Sequence, residues 1–310
     1  MTPPVIDARR GAFRLFRFAG IDVYLSWYWF IVAVIEIADR STAYSSPVWN
    51  AAEYFALFLI VLLHEFGHAL ACRQVGGAAN QIVLWPLGGV AYVSPPPRPG
   101  ATLWSIAAGP LVNVVLLPIL FALDAASHGL ASSASPDVAL LVRNIFYINI
   151  GLLLFNLLPI YPLDGGQILR SLLWFVLGRA RSLMVATILG FLGTAGLVVL
   201  AIRWQSIWFG LIALYAGSRC VTAFRAARSL SAIEKSPRRH EFICPACKAS
   251  PQVGDFWKCG RCGAMFDTFQ TQAVCPACQS QFSGSQCLDC GRQSPMAQWA
   301  GGPVISSAPL

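Results

Sequence analysis

The chain has 310 residues, of which 56% are hydrophobic and only 12% charged, with a mean hydropathy of +0.60 and a formal net charge of +8. Soluble domains carry about a quarter charged residues, so this composition excludes an ordinary soluble enzyme and points to an α-helical polytopic membrane protein. The positive charge sits in particular loops, where it reads as a topology signal and attraction to anionic headgroups, not as a nucleic-acid footprint.

Residues 1–20 carry Arg9, Arg10, Arg14 and Arg17 but no apolar core ending in a small-residue cleavage site, so they read as a cytoplasmic N-terminal segment and not a removable signal peptide. Apolar runs follow at Ile21–Ala38, Ala51–Ala71, Ala101–Leu123, Val138–Leu158, Leu183–Ile202 and Ser206–Phe224. Each is near the ~20 residues that cross a bilayer, which predicts about six transmembrane helices in a membrane domain over residues 21–225. Arg73 and Arg98 follow the second run, Arg170, Arg179 and Arg181 the fourth, and Arg225, Arg228 and Lys235 the sixth. By the positive-inside rule both termini face the cytoplasm of a multi-pass cell-membrane protein.

Between the second and third runs, Gln81–Val93 is β-branched, broken by Pro86 and Gly88-Gly89, and too short to span. It predicts a short membrane-associated β segment, and irregular backbone at that depth belongs where it lines a cavity. Residues 226–242 read as a basic linker, 243–291 as a small cysteine-rich domain, and 292–310 as a disordered tail.

The second apolar run contains His64-Glu65-Phe66-Gly67-His68. Residues four apart share a helix face, so both imidazoles can grip one cation while Glu65 reaches a water beside it. This predicts hydrolytic metal chemistry inside a membrane. Catalytic zinc normally takes three side chains, so one ligand is missing. His128 lies in an outer loop, His240 in the linker, and Cys72 at another helical angle. Asp164 follows the fourth run in Asn156-Leu-Leu-Pro159-Ile-Tyr-Pro162-Leu-Asp164-Gly165-Gly166, at a depth similar to that of the two histidines. An intramembrane carboxylate is costly without a partner, which favours metal, although a helix N-cap is the plainer use of an aspartate there. A histidine pair can also be structural packing, and Gly109-Pro110 a simple kink with Asn113 as a helix–helix hydrogen bond.

His64-Glu65-Phe66-Gly67-His68, Gly109-Pro110-Leu111-Val112-Asn113 and the Asn156–Gly166 segment together resemble the signature set of the site-2 protease family of intramembrane zinc metalloproteases, in its six-span branch similar to the sporulation factor proteases. The resemblance covers about residues 11–225. It implies His64, His68 and Asp164 as ligands of one catalytic zinc, Glu65 as the catalytic base, and Asn113 and Asn156 near the catalytic centre, as oxyanion donor or substrate holder. It also implies a transmembrane protein substrate. Such a substrate must unwind before its carbonyls can react, and the Ile82–Val93 strand, with Leu87, Gly88 and Gly89, is expected to bind the exposed backbone by β-addition. The competing reading is a non-proteolytic metal-binding or transport protein with a zinc-ribbon adaptor.

Eight of the ten cysteines form four Cys-x-x-Cys knuckles: Cys244/Cys247, Cys259/Cys262, Cys275/Cys278 and Cys287/Cys290. In a reducing cytoplasm these are expected to bind two structural zinc ions as a double zinc ribbon. Sequential pairing gives one ribbon from Cys244 to Cys262 and another from Cys275 to Cys290, with nested or interleaved pairing as the alternatives. Phe256, Trp257, Phe266 and Phe269 are expected in the ribbon core or, failing that, on a surface for a protein partner.

Overall fold

In the computed structural model, which describes residues 11–40, 42–85, 88–131 and 136–299, the chain opens with two antiparallel strands, β1 (Ala12–Phe18) and β2 (Ile21–Ser26). The first apolar run is therefore not one helix. Its first residues alternate with period two, burying Ile21, Val23 and Leu25 while Asp22 turns to Arg14 on β1 at 2.9 Å. The helix that follows, α1 (Tyr28–Asp39), has 12 residues and is about 18 Å long, too short to cross ~30 Å of hydrocarbon alone.

Strand and helix together nevertheless cover the distance. Arg73 near the end of α2 (Pro47–Gln74) donates to the carbonyls of Ala19 and Gly20, and Arg40 after α1 pairs with Glu53 near the start of α2. Arg73 and Glu53 are 20 residues apart on one helix, about 30 Å. Glu53 is buried and also bonded by Tyr44 and by Asn144 (2.8 Å), which ties α1 and α2 to the Asn144 segment at that end.

After α2 come β3 (Ala78–Trp85) and β4 (Gly88–Ser94), an antiparallel hairpin whose connection lies outside the described residues. The expected β segment thus belongs to a four-stranded sheet ordered β1-β2-β3-β4, in which β2 and β3 run parallel and β4 is an edge. Ile82 and Leu84 of β3 and Ile21, Val23 and Leu25 of β2 pack on Val61, Leu62, Ala69 and Cys72 of α2. One face of the metal-motif helix is thereby anchored to the sheet.

The remaining helices are α3 (Pro99–Ala131), α4 (Pro136–Leu157), α5 (Asp164–Leu177), α6 (Arg179–Arg203) and α7 (Ile207–Lys235). Among the described residues, α2, α3, α4, α6 and α7 are long and apolar enough to cross a membrane. The sixth run does not stop at Phe224. α7 continues through the expected linker because Ala223, Ala227 and Leu230 still pack on Leu183, Met184 and Tyr161, and Glu234 accepts a hydrogen bond from Ala180 N at the start of α6. The rest of that linker joins the cysteine-rich domain, where Arg238 pairs with Asp289 at 3.0 Å and Arg239 with Asp267 at 2.5 Å.

The cysteine-rich domain holds two small hairpins, β5 (Trp257–Lys258) with β6 (Met265–Phe266) and β7 (Gly284–Gln286) with β8 (Gln293–Pro295). The expected disordered tail begins too early. Residues 293–295 are a strand, and Trp299 is fully buried against Phe269 at 4.8 Å between ring centroids, its carbonyl accepting from Ile243 N. A single aromatic in a polar stretch closes the domain, and composition averages hide it. Residues 300–310 lie outside the described residues.

Candidate metal centre

His64, Glu65 and His68 sit on the buried length of α2, each 6% exposed. Their i, i+4 spacing brings the two imidazoles edge to face, with Nε2 to Nε2 at 3.0 Å. Asp164, the first residue of α5, sends Oδ2 to within 3.0 Å of His64 Nε2 and 3.3 Å of His68 Nε2. Leu163 is the N-cap residue and no side chain caps this helix, so the aspartate is spent on the histidines.

The hydrogen bonds behind the imidazoles fix what faces Asp164. His68 Nδ1 lies 2.9 Å from the Ser105 carbonyl and His64 Nδ1 2.7 Å from Asn113 Oδ1, both on α3. Each acceptor takes a proton from Nδ1, so in the neutral ring, the form that binds metal, Nε2 keeps its lone pair. Two lone pairs and a carboxylate at these separations repel one another unless a cation lies among them. Zinc bonds of ~2.0–2.1 Å at tetrahedral angles space ligand atoms about 3.3 Å apart, so the donor set fits zinc in kind and in spacing.

Glycines clear the space. A Cβ on Gly109 would overlap His68 Nε2 and stand 2.8 Å from His64 Nε2, and one on Gly67 would stand 2.8 Å from Val112 Cγ2. The Gly109-Pro110-x-x-Asn113 segment therefore supplies both the room for the imidazoles and the acceptor for His64. Both ends of the Asn113 carboxamide are engaged, since Nδ2 donates to Asn149 Oδ1 at 2.8 Å. Asn113 thus holds a histidine, and the expected oxyanion role does not follow from its position. Asn156, half-buried near the end of α4, makes none of these hydrogen bonds. Asn149, which the sequence reading passed over, is fully buried; its signal was an amide inside an apolar span, seven residues from Asn156.

Glu65 turns toward the sheet. Its Oε2 accepts from Ala91 N at 2.7 Å, and a Cβ on Gly89 would overlap the same carboxylate. Of the three hairpin residues expected to face substrate, Gly89 lies against Glu65, Gly88 starts β4, and Leu87 falls outside the described residues.

The profile of peptidase family M50 matches residues 52–129 and 124–200, which contain all of these groups. The membrane portion of this chain belongs to peptidase family M50. The chain is 34% identical over 181 residues to the zinc metalloprotease MJ0392 of Methanocaldococcus jannaschii, covering 57% of this chain and 50% of the relative. It is 33% identical over 119 residues to stage IV sporulation protein FB of Bacillus subtilis, covering 36% and 37%. The chain thus spans half or less of the length of these curated relatives. Among solved structures, the site-2 protease from Methanocaldococcus jannaschii aligns with a TM-score of 0.51 at 26% identity, over 69% of this chain and 95% of that one.

Beyond the M50 portion, the knuckles pair as a nest and not in sequence: Cys244, Cys247, Cys287 and Cys290 form one cluster, and Cys259, Cys262, Cys275 and Cys278 the other. Sulfur separations across the clusters run from 3.6 to 3.8 Å. Zinc–sulfur bonds of ~2.3 Å at tetrahedral angles require about 3.8 Å, so both clusters fit zinc. Each knuckle repeats one turn, in which the first cysteine's carbonyl accepts from the N–H four residues on, at Lys248, Gly263, Gln279 and Gly291, all with positive φ. Hydrogen bonding with the Ser280 hydroxyl and backbone lowers the Cys278 thiol, whereas its cluster neighbours raise the Cys262 thiol, as expected where closely packed sulfurs share charge. Nesting arises because Trp257 and Phe269 pack with Cys244, Cys287 and Trp299, bringing the two ends of the domain together around the inner pair. Trp257, Phe266 and Phe269 are buried, the expected ribbon core.

Proposed function

We propose that this chain is an intramembrane zinc metalloprotease that cuts peptide bonds within or beside transmembrane segments of other membrane proteins. The observation that carries the proposal is the convergence of two bare imidazole nitrogens and the Asp164 carboxylate inside apolar helices, with Glu65 next to them on α2. Zinc held by His64, His68 and Asp164 would supply Lewis acidity, making water a competent nucleophile near neutral pH and stabilising an oxyanion. Glu65 takes the proton from the attacking water and returns it to the leaving amide nitrogen.

The outer edge of β4 is the proposed substrate platform. Its Ala91 N–H donates to the Glu65 carboxylate, so an extended chain added to this edge strand would run beside Glu65. A scissile segment unwound from its own helix would regain backbone partners there. Gly89 keeps the edge free of side-chain bulk where the strand meets Glu65.

Both termini are proposed to face the cytoplasm, with the two cysteine clusters as structural zinc sites on that side. The basic residues Arg73, Arg98, Arg170, Arg179 and Arg181 support this orientation. A reporter fused after Leu310 that is active only outside the membrane would overturn it.

Co-expression of wild type and Glu65→Gln with a panel of single-span membrane proteins tests the activity. Fragments cut in or beside a span, seen by mass spectrometry with wild type only and with zinc retained in both chains, support the protease. A chain with zinc retained and no Glu65-dependent fragment indicates metal handling without proteolysis.

A further inference from the structure

We infer that Asn149 on α4 is a positioning residue that decides which ring nitrogen of His64 carries the proton. The inference deepens the metal-centre reading above and rests on it. Asn149 Nδ2 donates to the backbone carbonyl of Asn113 at 3.0 Å, Asn113 Nδ2 donates to Asn149 Oδ1 at 2.8 Å, and Asn113 Oδ1 stands 2.7 Å from His64 Nδ1. Both carboxamides are fully buried.

The direction of the relay follows from its far end. A backbone carbonyl can only accept, so the Asn149 group beside it is the NH2. Asn149 therefore presents oxygen to the Asn113 side chain, which must answer with its own NH2. That leaves Asn113 oxygen toward His64, and the imidazole must place its proton on Nδ1 and its lone pair on Nε2. Each assignment forces the next without free choice of amide orientation.

His68 needs no such relay. Its Nδ1 faces the Ser105 carbonyl directly, an acceptor that cannot turn over. A side-chain amide can. Without Asn149, Asn113 is free to rotate and offer NH2 to His64 Nδ1, which moves the proton to Nε2 and blocks the nitrogen that faces Asp164. The two histidines are thus locked into the same tautomer by different means, one by α3 backbone and the other by a neighbouring helix.

The test is a zinc-affinity cycle on the full-length chain in detergent, by chelator competition, with the zinc retained by Asp164→Ala subtracted to isolate the core site. Asn149→Leu is expected to weaken core zinc about 10- to 100-fold, the usual effect of losing an outer partner of a metal-bound histidine. In an Asn113→Asp background the same leucine is expected to change affinity by no more than about twofold, the scatter of independent sites, because a carboxylate has no nitrogen end to turn toward His64. Unchanged affinity in Asn149→Leu overturns the inference. So does an equal loss in both backgrounds, which assigns Asn149 to packing alone. If Asp164→Ala retains as much zinc as wild type, the metal-centre reading itself fails, a result separable from the other two. Should the leucine chain fail to accumulate, Asn149→Ala carries the same cycle.

Discussion

The membrane metal centre and the cysteine clusters present the same element fit in opposite ways. In the ribbons, four sulfurs surround each position and each repeated knuckle, built by one local hydrogen bond, supplies two of them. In the membrane, three ligands converge from α2 and from Asp164 a hundred residues later, and Nδ1 of each histidine is held from behind by α3. Four ligands close a structural site, whereas three leave a coordination position for chemistry. The difference teaches where precision is kept. A knuckle carries its geometry in a few residues of chain, but the catalytic set depends on helix packing and on glycines that let helices approach.

The largest expected effect that sharpens this contrast is on turnover. Glu65→Gln should lower cleavage by about 10²- to 10⁴-fold, the worth of a general base, while core and ribbon zinc both stay bound. Zinc analysis beside the cleavage assay checks it, and loss of zinc with activity would instead make Glu65 a ligand. Next, Trp299→Ala should destabilise the ribbon domain by about 3–5 kcal/mol, because it empties a fully buried site, and leave core zinc in place. Thermal unfolding monitored with zinc release measures this, and concerted loss of both metal classes would contradict the independence of the two regions.

Gly109→Ala should strike the opposite region. Its Cβ would displace His68 Nε2, so core zinc should fall while the eight cysteines keep theirs. A smaller effect is expected from pairing Cys244→Ser with Cys290→Ser. These residues share one cluster, so the double variant should lose little more zinc than either single change, whereas Cys244→Ser with Cys259→Ser should lose both ribbon ions. Additive loss in the first pair would restore the sequential pairing of knuckles.

Much of this site was legible in the chain because its parts are local or chemically rare. His64, Glu65 and His68 announce themselves through helical spacing, and Asp164 through the cost of a carboxylate at membrane depth. Asn149 did not, since one amide in an apolar span reads as a helix–helix contact until its partners are known. The first apolar run misled for a different reason. Ile21–Ser26 is hydrophobic enough for a membrane helix, yet its residues are used as a strand because β3, more than fifty residues later, pairs beside them. Propensity cannot see that pairing. The ribbon order failed likewise, because four equivalent Cys-x-x-Cys turns carry no information about which two meet.

By itself the sequence determined the solvent, the ligand chemistry and the repeated knuckle turn, since each depends on composition or on residues a few positions apart. Only the tertiary structure decided that β4 caps Glu65, that Gly109 makes room for two imidazoles, that His64 is oriented through Asn113 from α4, and that the outer knuckles enclose the inner pair. Those are relations between segments distant in sequence, and they are fixed by what packs against what.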